Sequence, residues 1–253
     1  MNWKGDFLMF DQIHEECGVF GVYSPESTTS VVGDTYMALY ALQHRGQQSC
    51  GIAVNDDGII RSYRDLGLVP DTFNQRVLSD LGSGRMAVGH VLYGASNPER
   101  ADAQPLVVRH IKGSMALAFN GALVNALELK EELELKGAIF HSNSDAEIIS
   151  HVIINERLHT NSIEEAIEKA MDKLKGAYSM VVMSPQKLMA VRDPQGIRPL
   201  AMGKMGGEIV FASESCAFDS IGAKFVRDVR PGEIIVVDRS GVRSLESHCG
   251  QKS

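Results

Sequence analysis

Through the first half of the chain, short apolar runs of β-type residues alternate with stretches of helical spacing. "GVFGVYS", starting at Gly18, predicts a strand. "SVVGDTYMALYALQHR" repeats its apolar residues at helical spacing and predicts a helix that stops at Gly46, read as its C-terminal cap. "CGIAVN" and "IIRSYR" follow as strands, and Asp56-Asp57-Gly58 between them is a hairpin signal. "PDTFNQRVLSDLG" predicts a short helix, and "RMAVGHVLY", "PLVVRH" and "SMALAFNG" predict strands, the last two joined by a turn at "IKG".

The middle of the chain is helical by its spacing, with helices expected at about 126–136, 145–157 and 162–174. Ser144 is a natural N-cap for the second of these, because Glu147 three residues on completes a capping box. The remainder reads as strands: "AYSMVVMS", "KLMAVRD", "PLAMGK", "EIVFAS", "AKFVRDV" and "EIIVVDRSG", interrupted by one short helix near "ESCAFDSIG". Many antiparallel-type strands with the helices grouped in the middle predict an α+β fold in which two sheets pack face to face and the helices lie outside. No repeat, low-complexity segment or linker divides the chain.

Composition narrows the function classes. With 253 residues, 44% of them hydrophobic, the chain can bury a full core. A formal net charge of -7 without a basic cluster argues against nucleic-acid or membrane-surface binding, which need cations to meet phosphates. No apolar run approaches the roughly 20 residues of a membrane span, and the N-terminus lacks the apolar core of a secretory signal. A cytoplasmic location is expected. Cys17, Cys50, Cys216 and Cys249 are far apart, so neither a disulfide framework nor a zinc cage is expected. His14 and Cys17 form an H-x-x-C with no second half, and no metal site is predicted. The glycines of "GSGRM" precede a strand rather than a helix, so they do not form a phosphate-binding turn.

Four stretches could carry chemistry. In "HEECGVFGVY", Cys17 is either a small core residue or a nucleophile. No histidine is close enough in sequence to be nominated as its base, but cleavage of the Glu16–Cys17 bond would create an α-amine with a pKa near ~7.7–8.0, suited to accept the thiol proton. In "AFNGALVN", Asn120 and Gly121 end a strand, where a side-chain amide and a backbone N–H could meet one developing negative charge; an ordinary Asn-Gly turn is the alternative. Asp145, at the first turn of a helix, could bind an ammonium group or favour the positive helix end. Arg45 in "LQHRGQQ" could fork to a carboxylate or bond a helix C-terminus.

Taken in order, "EECGVFGVY", "LQHRGQQSCGI", "GHVLY", "AQPL", "FNGALVN", "SDAEI", "LKGAYS", "RDPQGIRPL" and "SESCAFD" through "VRPGE" resemble the class II glutamine amidotransferase domain of the amidophosphoribosyltransferase family. The resemblance spans nearly the whole chain, and its last motifs set this family apart from the sugar-amidating and asparagine-forming branches. It implies the N-terminal-nucleophile hydrolase fold, a four-layer αββα sandwich with two antiparallel sheets. It also implies a propeptide of residues 1–16 and an amidotransferase domain over 17–253. By the same resemblance Cys17 is the nucleophile and its α-amine the base, Asn120 and Gly121 form the oxyanion hole, Asp145 meets the substrate ammonium and Arg45 supports the cysteine. The implied reaction is release of ammonia from glutamine through a glutamyl thioester, for phosphoribosylamine formation in purine synthesis by a phosphoribosyltransferase domain that this chain does not contain. A homo-oligomer is expected. No cofactor is expected in this chain; Mg and, in some members, an iron-sulfur cluster belong to the rest of the family enzyme, and Cys249 has no companions for a cluster.

The sequence departs from the family around the substrate pocket. The usual G-H-x-R-Y is "GHVLY", so Leu92 stands where an arginine pairs with the glutamine α-carboxylate. Ala95 takes the place of a threonine, and Phe119 that of the histidine before Asn-Gly. Arg100 in "NPER" could reach in as a substitute or belong to a solvated loop. These changes imply weakened glutamine affinity, an altered amide substrate, or a domain kept for structure or regulation.

Overall fold

Gly18–Tyr23 and Met86–Leu92 are buried at every position, so each of these strands needs cover on both faces. That requirement produces four layers. The computed structural model describes residues 17–26, 31–56, 58–94, 99–142 and 144–250. The expected propeptide, His14 and Ala95 lie outside them.

In chain order, β1 (Gly18–Tyr23) leads to α1 (Val31–Ala41), the hairpin of β2 (Ser49–Asp56) and β3 (Ile59–Leu66), and the helices α2 (Val69–Thr72) and α3 (Gln75–Leu81). Next come β4 (Met86–Leu92), β5 (Leu106–His110) and β6 (Gly113–Leu123), then α4 (Ala126–Leu135), α5 (Asp145–Leu158) and α6 (Ile163–Met171). The chain continues through β7 (Gly176–Met183), β8 (Leu188–Arg192), β9 (Ala201–Met205), β10 (Glu208–Ala212), α7 (Cys216–Ile221), β11 (Lys224–Asp228), β12 (Ile234–Asp238) and β13 (Gly241–Leu245).

The strands form a seven-stranded sheet ordered β11-β9-β10-β1-β4-β2-β3 and a six-stranded sheet ordered β13-β12-β8-β7-β6-β5. Their pairings are antiparallel, including that of the first strand between β4 and β10. Alternation along each strand sorts the core into three seams. Val19, Tyr23, Val88, Ala118 and Val181 fill the space between the sheets. Phe20, Val22 and Val91 pack with Leu39 of α1 and Phe218 of α7 on one outer face. Leu117, Phe119 and Tyr178 pack with Ile149 of α5 and Ile167 of α6 on the other. The predicted α+β sandwich is thus observed, with its helices on both outer faces.

Three local expectations are corrected. The helix over 31–45 ends at Ala41 and is followed by a 3-10 turn, Gln43–Arg45, after which Gly46 is extended at φ -159° rather than left-handed. Gly46 is needed for closeness: a Cβ there would lie 2.6 Å from the Val91 carbonyl carbon. The single helix expected over 70–82 is two, because Asn74 caps a second start by accepting from Val77 N–H at 3.0 Å. Ser144 does cap α5, accepting from Ala146 N–H at 3.3 Å, but the Glu147 carboxylate reaches further back. It accepts from the N–H groups of His141 and Ser142 and from the Ser142 hydroxyl, tying down the loop before the helix.

Candidate active site

The two ends of the inter-sheet space differ. At one end, Tyr23, Met86, Pro185, Lys187 and Asp238 line a cavity of about 460 Å³. Antiparallel pairing of β6 with β7 sets Ala116 against Met183 at that end and Asn120 against Ser179 at the other. Pairing of β1 with β4 sets Tyr23 against Met86 and Gly18 against Val91. Cys17, Leu92, Asn120 and Gly121 therefore gather at the opposite end. The fold brings together residues separated by about a hundred positions.

Cys17 stands just before β1 and is 9% exposed. By alternation it shares the face of Val19 and points between the sheets. The β1–β4 register runs on to place Leu92 opposite it. The sulfur accepts from Tyr93 N–H at 3.5 Å and lies at the same distance from the Tyr93 carbonyl oxygen. The strand behind it is fixed by Ser213, whose Oγ accepts from Val19 N–H at 3.0 Å.

Arg45 is brought to the nucleophile by the 3-10 turn after α1. Its buried Nε–H donates to the Cys17 carbonyl at 3.2 Å, and its Nη1 is paired with Glu214 Oε1. Burial pushes the Glu214 carboxyl up, but the hydrogen bonds from Arg45 and His44 outweigh it and hold the group below its usual range. Neither a substrate fork nor a helix C-terminus describes this arginine. It joins the main chain of Cys17 to a carboxylate 169 residues away.

Asn120 is fully buried, and neither its Oδ1 nor its Nδ2 has a hydrogen-bond partner. An unpaired buried amide costs on the order of 1–3 kcal/mol, so it is kept where a ligand can complete it. Gly121 beside it has φ +147°, and a Cβ there would lie 2.1 Å from the Ala177 carbonyl oxygen. The sequence position is thus restricted to glycine by the ladder itself. These residues belong to a ladder strand, not to an ordinary Asn-Gly turn.

Two side chains that sequence reasoning left without a role set this strand in place. His90 Nε2–H donates to the Phe119 carbonyl at 2.9 Å. Gln104 accepts from Phe119 N–H at 2.8 Å. Complete burial lowers the His90 pKa to about 4, so the ring is neutral at neutral pH and a poor base. Both residues sat inside quoted motifs, "GHVLY" and "AQPL". Ser213 and Glu214 likewise open the quoted motif "SESCAFD".

Asp145 opens α5, and its Oδ2 accepts from Leu123 N–H at 2.8 Å, two residues past Gly121. Burial pushes its carboxyl up, and that bond partly offsets the shift. The "RDPQGIRPL" motif folds as a braced loop at the same end. Asp193 accepts from Tyr178, Gln195 and Gly196 N–H groups, while Arg192 donates to the carbonyls of Gly196, Arg198 and Val229.

The departures from the family pattern separate on inspection. Leu92 stands opposite Cys17, 8% exposed and on the same face of the sheet. Phe119 does not turn toward them: it projects from the opposite face of β6, into the core against α5, with its ring centroid 6.5 Å from that of Tyr178. It therefore leaves the pocket lining unchanged. Arg100 does not replace the absent arginine, because it is exposed and pairs with Asp65 at 3.5 Å. Among the described residues Cys249 belongs to no group of three or more His, Cys, Asp or Glu donors that could hold a metal ion. No described helix is long and apolar enough to cross a membrane.

Comparison with known proteins agrees with this arrangement. A family model described as glutamine amidotransferase domain matches residues 95–220. The amidophosphoribosyltransferase of Methanocaldococcus jannaschii is 44% identical over 222 residues, covering 87% of this chain and 47% of that protein. The Bacillus subtilis counterpart is 40% identical over 234 residues, covering 92% of this chain and 48% of its own. The solved structure of the B. subtilis glutamine phosphoribosylpyrophosphate amidotransferase, complexed with ADP and GMP, superimposes with a TM-score of 0.84 over 90% of this chain and 49% of that one. The chain thus spans about half the length of the curated relatives it matches. A glutamine aminotransferase class-II domain protein from Silicibacter pomeroyi, 13% identical with a TM-score of 0.62, shares the fold. The architecture is that of an N-terminal-nucleophile hydrolase, and the chain belongs to the glutamine amidotransferase domain family in the form found in amidophosphoribosyltransferases.

Proposed function

We propose that the protein releases ammonia from glutamine at Cys17 and supplies it to a phosphoribosyltransferase domain for phosphoribosylamine formation. The observation that carries this reading is the unpaired, fully buried Asn120 amide at the end of the inter-sheet space where Cys17 stands. Removal of residues 1–16 frees the Cys17 α-amine, which takes the thiol proton. The sulfur attacks the side-chain carboxamide of glutamine, and the oxyanion is met by Asn120 Nδ2–H and Gly121 N–H. The C–N bond then breaks, the amine returns its proton to the leaving ammonia, and water hydrolyses the glutamyl thioester. Splitting amide hydrolysis into two steps is the benefit of a covalent nucleophile.

Asp145 meets the glutamine ammonium in this reading, with the oxygen that the Leu123 N–H does not use. Leu92 offers the α-carboxylate no donor, which favours weak glutamine affinity. Mg and an iron-sulfur cluster are assigned to the rest of the family enzyme. A cytoplasmic location fits the four free cysteines and the net charge of -7, and a homo-oligomer is carried over from the family resemblance. Steady-state glutaminase assay of protein starting at Cys17, beside Cys17→Ala, tests the reading. Glutamine-dependent ammonia release abolished in the variant supports it; equal release by both would overturn it.

A further inference from the structure

At the junction of α1 and α7, on the outer side of the Arg45–Glu214 pair, three side chains converge that no motif spacing could have joined. They are His44, Glu214 and Cys216, and one ligand atom from each lies within 4.8 Å of the others. The His44 ring is oriented by its two neighbours. Nδ1 lies 3.0 Å from the Ala41 carbonyl oxygen, which can only accept, so Nδ1 carries a proton. Nε2 lies 3.0 Å from Glu214 Oε2, also an acceptor. Nε2 and Glu214 Oε2 thus face one another at a spacing that one metal ion can share.

Cys216 adds a sulfur donor to the pair: its Sγ lies 3.8 Å from the same oxygen, Glu214 Oε2, and 3.8 Å from the Ala41 carbonyl oxygen. A tetrahedral zinc with N and O ligands at about 2.0–2.1 Å keeps them about 3.3 Å apart, and S at about 2.3 Å lies about 3.5 Å from O. The observed separations of 3.0 and 3.8 Å lie within a few tenths of an ångström of these values, and His44 Nε2 and Cys216 Sγ lie within 4.8 Å of each other. One imidazole, one carboxylate and one thiolate are donors that suit zinc among the divalent ions, and the two anions balance its charge. Glu214 can serve both neighbours, since Oε1 holds Arg45 and leaves Oε2 for the metal.

We infer that His44 Nε2, Glu214 Oε2 and Cys216 Sγ form a zinc site with its fourth position open to solvent. Binding forms the Zn–S, Zn–N and Zn–O bonds and breaks the S–H bond, whose proton leaves to the buffer together with any proton on Nε2. Burial and the neighbouring Glu214 push the Cys216 thiol up, so that displacement is unfavourable at low pH and affinity rises with pH. The site lies behind the nucleophile and contacts Arg45, but its existence does not depend on the proposed reaction.

Titration of the full chain with zinc and with cobalt tests the inference, in a Cys17→Ser, Cys249→Ser background so that no other accessible thiol is scored. The expected result is one equivalent of zinc bound with proton release. Cobalt should give a thiolate-to-metal band, and both signals should weaken at least about tenfold in His44→Gln and in Cys216→Ser. Cys216 is only partly buried, so its serine variant is expected to keep the parent's circular dichroism. The cobalt band is also read in the background protein itself, without either variant. Absence of the band there, or zinc affinity unchanged in both variants, would overturn the site.

Discussion

Arg45 Nε–H donates to the carbonyl of Cys17 at 3.2 Å, and Glu214 holds the other end of the same guanidinium. The carbonyl of the nucleophile is thereby fixed from the 3-10 turn after α1 and the residue pair before α7. Glu214→Gln keeps the shape but removes the charge that anchors Arg45, so it should misplace the cysteine rather than the substrate. It is expected to lower kcat for glutamine hydrolysis by about 10- to 100-fold with KM little changed. Steady-state kinetics check this; a change confined to KM would place Arg45 on the substrate instead.

Asn120→Asp tests the oxyanion donor with almost no change of volume. It replaces the unpaired Nδ2–H by a carboxylate oxygen and sets a negative charge where one has to develop. Loss of one such donor costs about 10²–10³ in kcat. Thermal unfolding should be reported beside the kinetics, because the variant is expected to fold. A kcat within a few-fold of the parent would remove Asn120 from the mechanism.

Leu92→Arg should restore the α-carboxylate partner. A charge-assisted hydrogen bond contributes about 1.5–3 kcal/mol, or about 10- to 100-fold in affinity. The expected outcome is a fall in KM of at least about tenfold at similar kcat. An unchanged KM for the parent and the variant would show that glutamine is oriented by other groups.

Stability should respond to pH through two groups of opposite sign, one fully buried and one half-buried. His90 has its pKa lowered by burial to about 4, below its usual value of about 6.5. Its contribution is complete above about 6.5 and is lost as pH falls through about 4, a change on the order of 3 kcal/mol. Asp34 is raised to about 6, first by burial and then by the charge of Glu208. Its Oδ2 and both oxygens of Glu208 are buried without partners. Its protonated form is favoured, so stability linked to it is present below about 3.8 and lost as pH rises through about 6. Asp34→Asn should therefore stabilise by roughly 1–2 kcal/mol at pH 8, after allowance for partial exposure, and by little at pH 4. Denaturant unfolding at the two pH values checks the sign; equal gains at both would exclude the linkage.

Much of the fold was legible because β1 and β4 are apolar at every position, which demands cover on both faces, while α5 and α6 carry strong caps. What periodicity could not read was closeness. Gly46 looked like a helix cap because its role depends on the Val91 main chain passing 2.6 Å from where a Cβ would be. Phe119 looked like a pocket residue because it adjoins Asn120, yet alternation along β6 turns it to the opposite face. Cys17, Asn120, Gly121 and Asp145 were recognisable as a set only through ordered motifs. His90, Gln104 and Glu214 lay inside those motifs, but their partners are the Phe119 main chain and Arg45, and only folding brings these together. The zinc donors are the extreme case, with His44 and Glu214 separated by 170 positions.

The central claim is that Cys17, freed as the chain's first residue, carries the glutamyl group. Intact-mass spectrometry of the purified protein, quenched in acid during glutamine turnover, measures both halves of it at once. The predicted result is a chain beginning at Cys17, part of which has gained the mass of one glutamyl group that hydroxylamine removes. A chain still beginning at Met1 that releases ammonia from glutamine with no adduct would contradict the account.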